Sequence, residues 1–454
     1  MKIIILGAGQ VGVFLAHKLS EEGHDITIVD TLDEQLQDVV AHYDVRTVIG
    51  PASYPQTLSS AGADQADMLI AVTKSDETNM LACQVASTLY KVPRKIARIR
   101  SKEYLTRADL FGIDAIPVDI AISPEQLVID SLSQLIQYPG AFHVYDFADG
   151  QIGLVGVRTT RLGPLVNHKI KDLKKHLPGV QVRIVGVYRN NSPMMPAGNL
   201  IIEEDDEVFF IAKKRDIRVI IREFRGSDIH PRRIMIAGGG NIGSGLAQAL
   251  ESQYQVKVIE ARRHRAEQIS EFLDNTHVLL GDSTSEELLL EENIEHIDIF
   301  CALTNADDTN IISSLLAKRM GAKKVFCIIN RISFVNLIEG GKIDIAISPQ
   351  FETIGSILAH IRRGDVTQVH AVRHGSAEAL ETVVHGNLST SKVIGRSISD
   401  IIFPEGAVIG AILRGDEILI AHHDTVIEEN DHVISFVYDL SLIKKVENLF
   451  QAIS

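Results

Sequence analysis

Residues 2–12 read KIIILGAGQVG, and this stretch decides the fold of the chain. The apolar run at residues 3–6 predicts a buried β-strand, and the pattern G-x-G-x-x-G follows it at once as Gly7, Gly9 and Gly12. In a βαβ unit the first glycine permits a tight turn, the second lets the backbone approach a pyrophosphate, and the third lets helix and strand pack closely. The stretch therefore predicts a Rossmann-type nucleotide-binding unit, with glycines that serve only strand–helix packing as the alternative.

An acidic residue supports the nucleotide interpretation. Asp30 ends the next predicted strand, 18 residues after Gly12. A carboxylate at this point accepts hydrogen bonds from a ribose 2′-hydroxyl and repels the 2′-phosphate of NADP. The helix that begins after the loop presents free N–H groups and the positive end of its dipole to phosphates. We therefore predict NAD(H) as the cofactor.

The whole unit occurs twice, since residues 2–137 match residues 233–362. The second copy carries Gly238, Gly240, Gly243 and the acidic Glu260. Between its later landmarks it has lost six residues, as expected of a loop deletion. Each copy alternates short apolar strands with helical patterns, and in the first copy the strands are predicted at residues 2–6, 25–29, 45–49, 68–72 and 95–99. Strands that are apolar at nearly every position indicate a parallel sheet covered on both faces.

A smaller module of different texture follows each copy. Its predicted strands lie at residues 151–157, 180–188 and 207–211, and again at residues 378–384, 407–413 and 432–436. We predict the fold class as α/β, with two doubly wound parallel-sheet Rossmann-type domains, each followed by a small α+β module. The expected domain boundaries are 1–122, 141–225, 231–347 and 366–454.

The predicted cofactor-binding residues lie on the glycine loops, at the acidic strand ends and at the carboxyl ends of later strands. In the first copy they are Gly7, Ala8, Gly9, Gln10, Val11, Gly12, Asp30, Thr73, Lys74 and Arg98. In the second they are Gly238, Gly239, Gly240, Asn241, Ile242, Gly243, Glu260, Asp282, Thr304 and Asn305.

Two features of these predicted sites leave alternatives open. The hydroxyls of Thr73 and Thr304 either reach the ligand or serve the turn into the next helix. Arg98 and Arg100 end the fifth strand, where a guanidinium can clamp phosphate. The second copy has residues 328–331, Ile-Ile-Asn-Arg, at this point. The second pocket is therefore expected to hold phosphate differently or more weakly.

Composition excludes several classes of protein. With a net charge of −14, the chain is not expected to bind nucleic acid, because neutralising phosphates needs a basic face. Cys83, Cys301 and Cys327 share no metal-ligand spacing and are predicted to be buried free thiols. No stretch approaches 18 uncharged apolar residues, so we predict no membrane span.

These patterns resemble the RCK/KTN family of regulatory domains on potassium channels and transporters. The resemblance rests on both glycine loops with their acidic partners, on T-x-x-D-x-x-N segments ending in Asn79 and Asn310, on Ala97-Arg98, and on the small modules. It implies NAD(H) binding, or alternatively ATP/ADP binding. It also implies a homo-oligomer, either a dimer or a tetramer ring, at the cytoplasmic face of the cell inner membrane. The implied partner is a membrane-embedded potassium translocator subunit, and the implied role is regulation without catalysis.

One departure from the family pattern separates the two copies. The family has G-[D/N]-x-[S/T] after the third strand, and residues 281–284 keep it as GDST. Residues 50–53 read GPAS, so Pro51 stands where Asp282 stands in the second copy. Proline removes both an N–H donor and an acidic side chain, which puts contacts to the adenine end of a ligand in the first pocket in doubt.

An oxidoreductase is the alternative function, with the small modules as substrate domains. Such an enzyme needs a general acid or base beside the nicotinamide. No histidine of the small modules keeps both its position and a carboxylate partner across the two copies, and His422-His423 is predicted to be a turn pair. A third hypothesis is that the second pocket is only structural and serves assembly.

Overall fold

The computed structural model describes residues 1–112, 114–226, 230–331, 334–335, 341–361, 366–373 and 376–451. It confirms the predicted fold class. Two six-stranded parallel sheets are each followed by a five-stranded antiparallel sheet. Residues 452–454, at the end of the last predicted domain, lie outside the described residues.

The first parallel sheet has the strand order β3-β2-β1-β4-β5-β6. Its strands are β1 (Lys2–Leu6), β2 (Asp25–Asp30), β3 (Arg46–Ile49), β4 (Met68–Ala71), β5 (Arg94–Arg98) and β6 (Ile120–Ile122). The helices are α1 (Gln10–Glu21), α2 (Asp33–His42), α3 (Pro55–Ser60), α4 (Asp76–Tyr90), α5 (Lys102–Leu105) and α6 (Pro124–Gln137). The order reverses between β1 and β4, and open α/β sheets bind ligands beyond the carboxyl ends of strands at such a point.

The second parallel sheet repeats this order as β14-β13-β12-β15-β16-β17. Its strands are β12 (Arg233–Ala237), β13 (Gln255–Glu260), β14 (Thr276–Leu280), β15 (Ile299–Ala302), β16 (Lys324–Ile328) and β17 (Ile345–Ile347). The helices are α9 (Asn241–Leu250), α10 (Arg263–Phe272), α11 (Glu286–Glu291), α12 (Asp307–Arg319) and α13 (Pro349–Ile361).

The small modules are antiparallel sheets with strand orders β10-β9-β11-β8-β7 and β18-β19-β22-β20-β21. The first contains β7 (Ala141–Phe147), β8 (Ile152–Arg158), β9 (Val182–Arg189), β10 (Ser192–Met194) and β11 (Glu207–Lys213), with α7 (Leu173–His176) and α8 (Ile217–Arg225). The second contains β18 (Val366–Val372), β19 (Ala377–Val383), β20 (Ala407–Arg414), β21 (Glu417–Ile420) and β22 (His432–Val437), with α14 (Ile443–Phe450).

The strand prediction was incomplete at the sheet edges. It did not include the short sixth strands β6 and β17, nor the edge strands of the small modules. The serines that follow β6 and β17 differ between the copies: Ser123 Oγ accepts from the Gln126 N–H at 3.3 Å. The Ser348 hydroxyl is buried and has no hydrogen-bond partner among the described residues, although the helix does begin at Pro349.

The helices that leave the two parallel sheets are exchanged between the copies. Helix α6 packs against α9 of the second copy, and α13 packs against α1 of the first. Ile129 of α6 lies so close to Gly245 of α9 that a Cβ there would stand 2.5 Å from Ile129 Cδ1. Phe351 of α13 meets Phe14 of α1 edge to face, with ring centroids 6.1 Å apart. Each copy therefore supplies part of the other copy's helical layer.

The two small modules pack face to face and complete the connection between the halves. Their shared core includes Phe209 and Phe436, whose rings stack with centroids 5.5 Å apart. The Tyr438 hydroxyl donates to the carbonyl oxygen of Val185 at 2.5 Å. Aromatic burial of this kind is among the larger single contributions to a protein interface, so we expect the modules to move as a pair.

The three cysteines are buried and free, as predicted. Burial raises the pKa of the Cys83 and Cys327 thiols to about 12. In the part of the chain that the structure describes, the helices fall short of the length and hydropathy that a membrane span requires.

Candidate functional site

The first and third glycines of each loop have conformational and steric roles inside the chain. Gly7 and Gly238 have φ values of +108° and +106°, a region that L side chains rarely adopt. At Gly12 and Gly243 an added Cβ would stand 1.9 Å from the carbonyl oxygen of Gly7 and Gly238, respectively. These four glycines are therefore required by the turn and by close helix packing.

The middle glycine of each loop has no such role. Gly9 and Gly240 have ordinary backbone angles, with φ −74° and −65°. A Cβ built on either residue meets no atom of the described chain within 4 Å. Helices α1 and α9 begin directly after them without a side-chain cap, so the first-turn N–H groups receive no partner there. The open space and the uncapped amides together form a cradle that suits a phosphate.

The acidic residue at the end of the second strand of each copy accepts a hydrogen bond from the backbone of the glycine loop. Asp30 Oδ2 accepts from the Ala8 N–H at 2.6 Å, and its Oδ1 accepts from the Leu32 N–H at 3.0 Å. The Asp30 side chain is half-buried. One carboxylate thus fixes the loop against the end of β2, and its partial exposure leaves room for a further donor such as a ribose hydroxyl.

In the second copy the acidic residue is more strongly engaged by the chain itself. Glu260 is 6% exposed, and it accepts from the Gly239 N–H at 2.9 Å and from the N–H and Nε of Arg262 at 2.9 and 3.2 Å. Burial raises the pKa of Glu260, but these hydrogen bonds outweigh it and hold that pKa below its ordinary value. Arg265 Nε also donates to the Gly239 carbonyl oxygen at 2.8 Å. Arg262 therefore binds the carboxylate of Glu260, and Arg265 binds the backbone of the glycine loop.

The strand-end threonines are bound into a buried clamp. Thr73 Oγ1 donates to Asn79 Oδ1 at 2.7 Å, and the same oxygen accepts from the Thr73 N–H at 3.0 Å. Asn79 Nδ2 donates across to the carbonyl oxygen of Arg98 at 2.8 Å. Thr304 and Asn310 repeat the first contact at 2.7 Å. Because the hydroxyl proton is used internally, this geometry favours the turn interpretation of both threonines over direct ligand contact.

The asparagines of these clamps lie at the candidate site, but they were not among the residues predicted from the sequence. Asn79 and Asn310 are fully buried, and each joins the carboxyl ends of neighbouring strands. The sequence feature that could have identified them is the repeated T-x-x-D-x-x-N pattern. In the sequence analysis this pattern supported the family resemblance but no role for the asparagines. A buried asparagine at the same point in both copies predicts a shared backbone geometry beneath the two pockets.

Arg98 is the clearest difference in charge between the pockets. It ends β5 at the edge of the sheet that carries the glycine loop, and its Nε is buried without a hydrogen-bond partner among the described residues. Burial, and then the nearby charge of Arg100, lower the pKa of Arg98. Arg100 is held elsewhere, since its Nε lies 2.7 Å from Glu125 Oε1. In the second copy Ile328, 2% exposed, takes the position of Arg98.

At the turn after the third strand, the second copy has the polar side chain that the first copy lacks. Asp282 Oδ1 accepts from both the N–H and the hydroxyl of Thr284 at 2.8 Å, and these bonds lower the pKa of Asp282. In the first copy the turn keeps its backbone bond, from the Tyr54 N–H to the Pro51 carbonyl oxygen at 3.1 Å. Pro51 supplies no side-chain acceptor. The second copy thus has the better formed turn.

The remaining predicted site residues divide by exposure. Gln10, Lys74, Asn241 and Asn305 are exposed at the carboxyl edges of the sheets. Ala8, Val11 and Gly239 are buried and Ile242 is partly buried, so these four would contribute through their backbone and through support of the loop.

In the small modules, buried aspartates form ion pairs with arginines. A substrate domain would instead need free reactive side chains. The buried Asp206 forms a two-point ion pair with Arg189, Nε–Oδ1 and Nη2–Oδ2 both 2.8 Å, and Arg414 with Asp431 repeats it. The acidic turns that precede β11 and β22 are therefore structural elements. Among the described residues, no group of three metal-binding side chains occurs.

Comparison with known proteins shows the same tandem order. The TrkA-N domain model matches residues 3–124 and 234–349, and the TrkA-C domain model matches residues 154–225 and 388–451. A Trk system potassium uptake protein TrkA of Halomonas elongata is 54% identical over 451 residues, covering 99% of each chain. The protein of the same name from Vibrio alginolyticus is 53% identical over 452 residues, again covering 99% of each.

Solved structures agree on the fold. The crystal structure of the GsuK RCK domain has a TM-score of 0.61 at 18% identity, covering 99% of this chain and 94% of that one. The GsuK channel bound to NAD has a TM-score of 0.61 at 17% identity, covering 99% of this chain and 78% of that one. The predicted family resemblance is confirmed by the TrkA-N and TrkA-C matches and by the TrkA relatives, whereas the solved structures support the fold.

Proposed function

The chain belongs to the TrkA family of Trk system potassium uptake proteins, and we propose that it is a nucleotide-binding regulatory subunit of a membrane-embedded potassium translocator. Its place would be peripheral, at the cytoplasmic face of the cell inner membrane. The active form would be a homo-oligomer, a dimer or a tetramer ring. The subunit would change transport by changing its own arrangement when a nucleotide binds.

One observation carries the nucleotide part of this proposal. The chain has no use of its own for a glycine at positions 9 and 240, because a Cβ there would meet open space. A ligand that approaches the backbone closely explains both glycines at once. NAD(H) is the proposed ligand, with ATP or ADP as the alternative, and the contacts would come from the loop residues, Asp30, Arg98 and their counterparts.

Regulation follows from how the pockets are connected to the rest of the fold. The exchanged helices α6 and α13 tie each parallel sheet to the other copy. A nucleotide that binds one arrangement of the halves more tightly shifts the population toward it, and only such a difference in affinity can do so. The oligomer would pass this shift to the translocator.

Two experiments test the proposal. Titration calorimetry of NADH and ATP into the wild type and into Gly9→Asp and Gly240→Asp variants measures how many nucleotides bind. Co-purification with a membrane potassium translocator, with and without nucleotide, tests the partner. Failure to associate under any nucleotide would remove the regulatory role and leave a nucleotide-binding module.

The oxidoreductase alternative has a direct test of its own. The protein is incubated with NADH and a panel of oxo-acids while absorbance is followed. No change is expected, because the buried Asp206 and Asp431 of the small modules are each held in an ion pair with an arginine. Steady turnover of NADH would contradict the regulatory proposal.

A further inference from the structure

A basic cavity lies at the edge of the second parallel sheet that is opposite to its glycine loop. It has a volume of about 670 Å³ and is bounded by the first small module, the end of α8, the starts of β16 and β17, and Arg373 of the second small module. The glycine loop follows the carboxyl end of β12, whereas Lys324 begins β16 at the amino end. The cavity is therefore separate from both proposed nucleotide pockets.

The charged groups of the cavity wall are not balanced. Four basic side chains face two carboxylates, in a chain whose net charge is −14. Glu207 is shared between two of them, with Oε1 2.7 Å from Arg158 Nη2 and Oε2 3.0 Å from Arg373 Nε. Asp344 is engaged by Lys318, with Nζ and Oδ2 2.7 Å apart.

Arg225 and Lys324 have no carboxylate in ion-pair contact among the described residues; the charge of Asp344, which Lys318 engages, raises the pKa of both but does not outweigh their burial. Among the described residues, neither forms an ion pair, and Arg225 donates only to the carbonyl oxygen of Arg158 at 2.7 Å. Burial, and then the charge of Arg225, lower the pKa of Lys324 to about 8. Burial also lowers the pKa of Arg225. Two partly desolvated cations that repel each other cost free energy, and a bound anion removes that cost.

The size and lining of the cavity indicate the class of anion. A volume of about 670 Å³ lies within the range of small-molecule sites and exceeds what a single phosphate fills. Arginine and lysine together are a common arrangement for phosphate recognition. Phe142 and His143 add an aromatic wall beside the basic groups.

We propose that this cavity, walled by Arg158, Arg225, Lys324 and Arg373, binds a phosphorylated small molecule at a site distinct from both glycine loops. The wall is built from both small modules and the second Rossmann-type domain. A ligand there would hold these three units together and so favour one arrangement of the chain. This gives the protein a second kind of effector site, whatever occupies the glycine loops.

The first test uses pyrophosphate as the probe and a protein whose glycine loops are blocked. Calorimetric titration into the full-length Gly9→Asp/Gly240→Asp variant is expected to show one remaining site per chain. Adding Lys324→Gln or Arg225→Gln should weaken that binding at least tenfold. Lys323→Gln is the matched control and should leave it unchanged, since Lys323 pairs with Asp298 at 2.7 Å. Loss of all binding in the blocked protein, or equal binding with and without Lys324, would overturn the proposal.

The second test needs no variant, so it holds even where a substitution prevents folding. Because burial lowers the pKa of Lys324 to about 8, its amine has a much larger neutral, reactive fraction at pH 8 than an ordinary lysine. Acetylation of the wild type, followed by mass spectrometry, is expected to modify Lys324 more slowly with pyrophosphate present, while Lys323 reacts at an unchanged rate. The same rate at Lys324 with and without pyrophosphate would contradict the site.

Discussion

The two proposed nucleotide pockets share one backbone and differ in what their side chains are free to do. In the first, Arg98 has a buried Nε without a described partner, and Asp30 is half-buried. In the second, Ile328 replaces the arginine, and Glu260 is already paired with Arg262. In the first pocket, Arg98 and Asp30 therefore remain available to bind a phosphate and a ribose. In the second pocket, the acidic residue is already bound by an arginine of the same chain. A glycine-loop motif that occurs twice in one chain therefore does not make its two sites equivalent.

The largest effect is expected from closing the loops. An aspartate at Gly9 fits the chain, because no described atom lies within 4 Å of its Cβ, but it places a negative charge where the phosphate binds. We expect Gly9→Asp to weaken the tighter nucleotide site about 100-fold or more, with an unfolding midpoint near that of the wild type. Titration calorimetry and thermal unfolding measure the two. Gly240→Asp should affect only the weaker site, and identical losses of affinity from the two variants would show that the pockets are equivalent.

The next effect concerns the phosphate clamp. Removing the charge of Arg98 removes a charge-assisted hydrogen bond of about 1.5–3 kcal/mol, so Arg98→Gln should weaken ATP binding at the first pocket about tenfold to 100-fold. Arg94→Gln is the control, because Arg94 begins the same strand that Arg98 ends. ATP binding that is equally strong in the Arg98→Gln protein would show that the first pocket owes nothing to its arginine.

A smaller effect comes from the exchanged helices. Glu352 of α13 stands where α6 has Leu127, and its Oε2 accepts from Ser131 Oγ at 2.8 Å. Burial raises the pKa of Glu352 from 4.5 to about 7. Since the folded pKa lies above the unfolded one, folding carries no penalty below about pH 4.5, a growing penalty as pH rises to 7, and the full penalty above it.

The raised pKa of Glu352 predicts that the thermal stability of the protein falls as the pH rises. The full penalty is about 3 kcal/mol, so the wild type should unfold a few degrees lower at pH 8 than at pH 5.5. Glu352→Gln should remove most of that dependence, while the exposed Glu271→Gln should keep it. Thermal unfolding at both pH values is the measurement, and an unchanged dependence in Glu352→Gln would count against a buried ionisable group.

The smallest effect is expected at the turn after the third strand. Asp282→Ala removes the two hydrogen bonds that Asp282 Oδ1 accepts from Thr284, worth about 1 kcal/mol together. Pro51→Ala removes no side-chain hydrogen bond, so its unfolding midpoint should fall by less. If Pro51→Ala lowered the midpoint more than Asp282→Ala, the turn of the first copy would be the better formed one.

Much of this arrangement could be predicted from the sequence because its signals are local. The glycine loop, the acidic strand end and the fully apolar strands are each decided within about ten residues, and both copies show them. The charge difference at Arg98 and the polar difference at Asp282 could be predicted for the same reason.

The rest depended on contacts between distant parts of the chain. The exchange of α6 and α13 is not visible in periodicity, because an amphipathic helix shows that it has a buried face but not which domain covers it. The engagement of Glu260 by Arg262 and of Gly239 by Arg265 is likewise a tertiary result. Lys324 was unremarkable in sequence and became a candidate only when the fold placed it beside Arg225.

The proposed inequality of the two pockets is best tested by their nucleotide occupancy. The full-length wild type is crystallised with one molar equivalent of ATP per chain, and the nucleotide occupancy at each loop is refined. This inequality predicts density at Gly9 and Arg98 of the first pocket, with the second pocket largely unfilled. Equal occupancy of the two loops, or density at Gly240 alone, would contradict it.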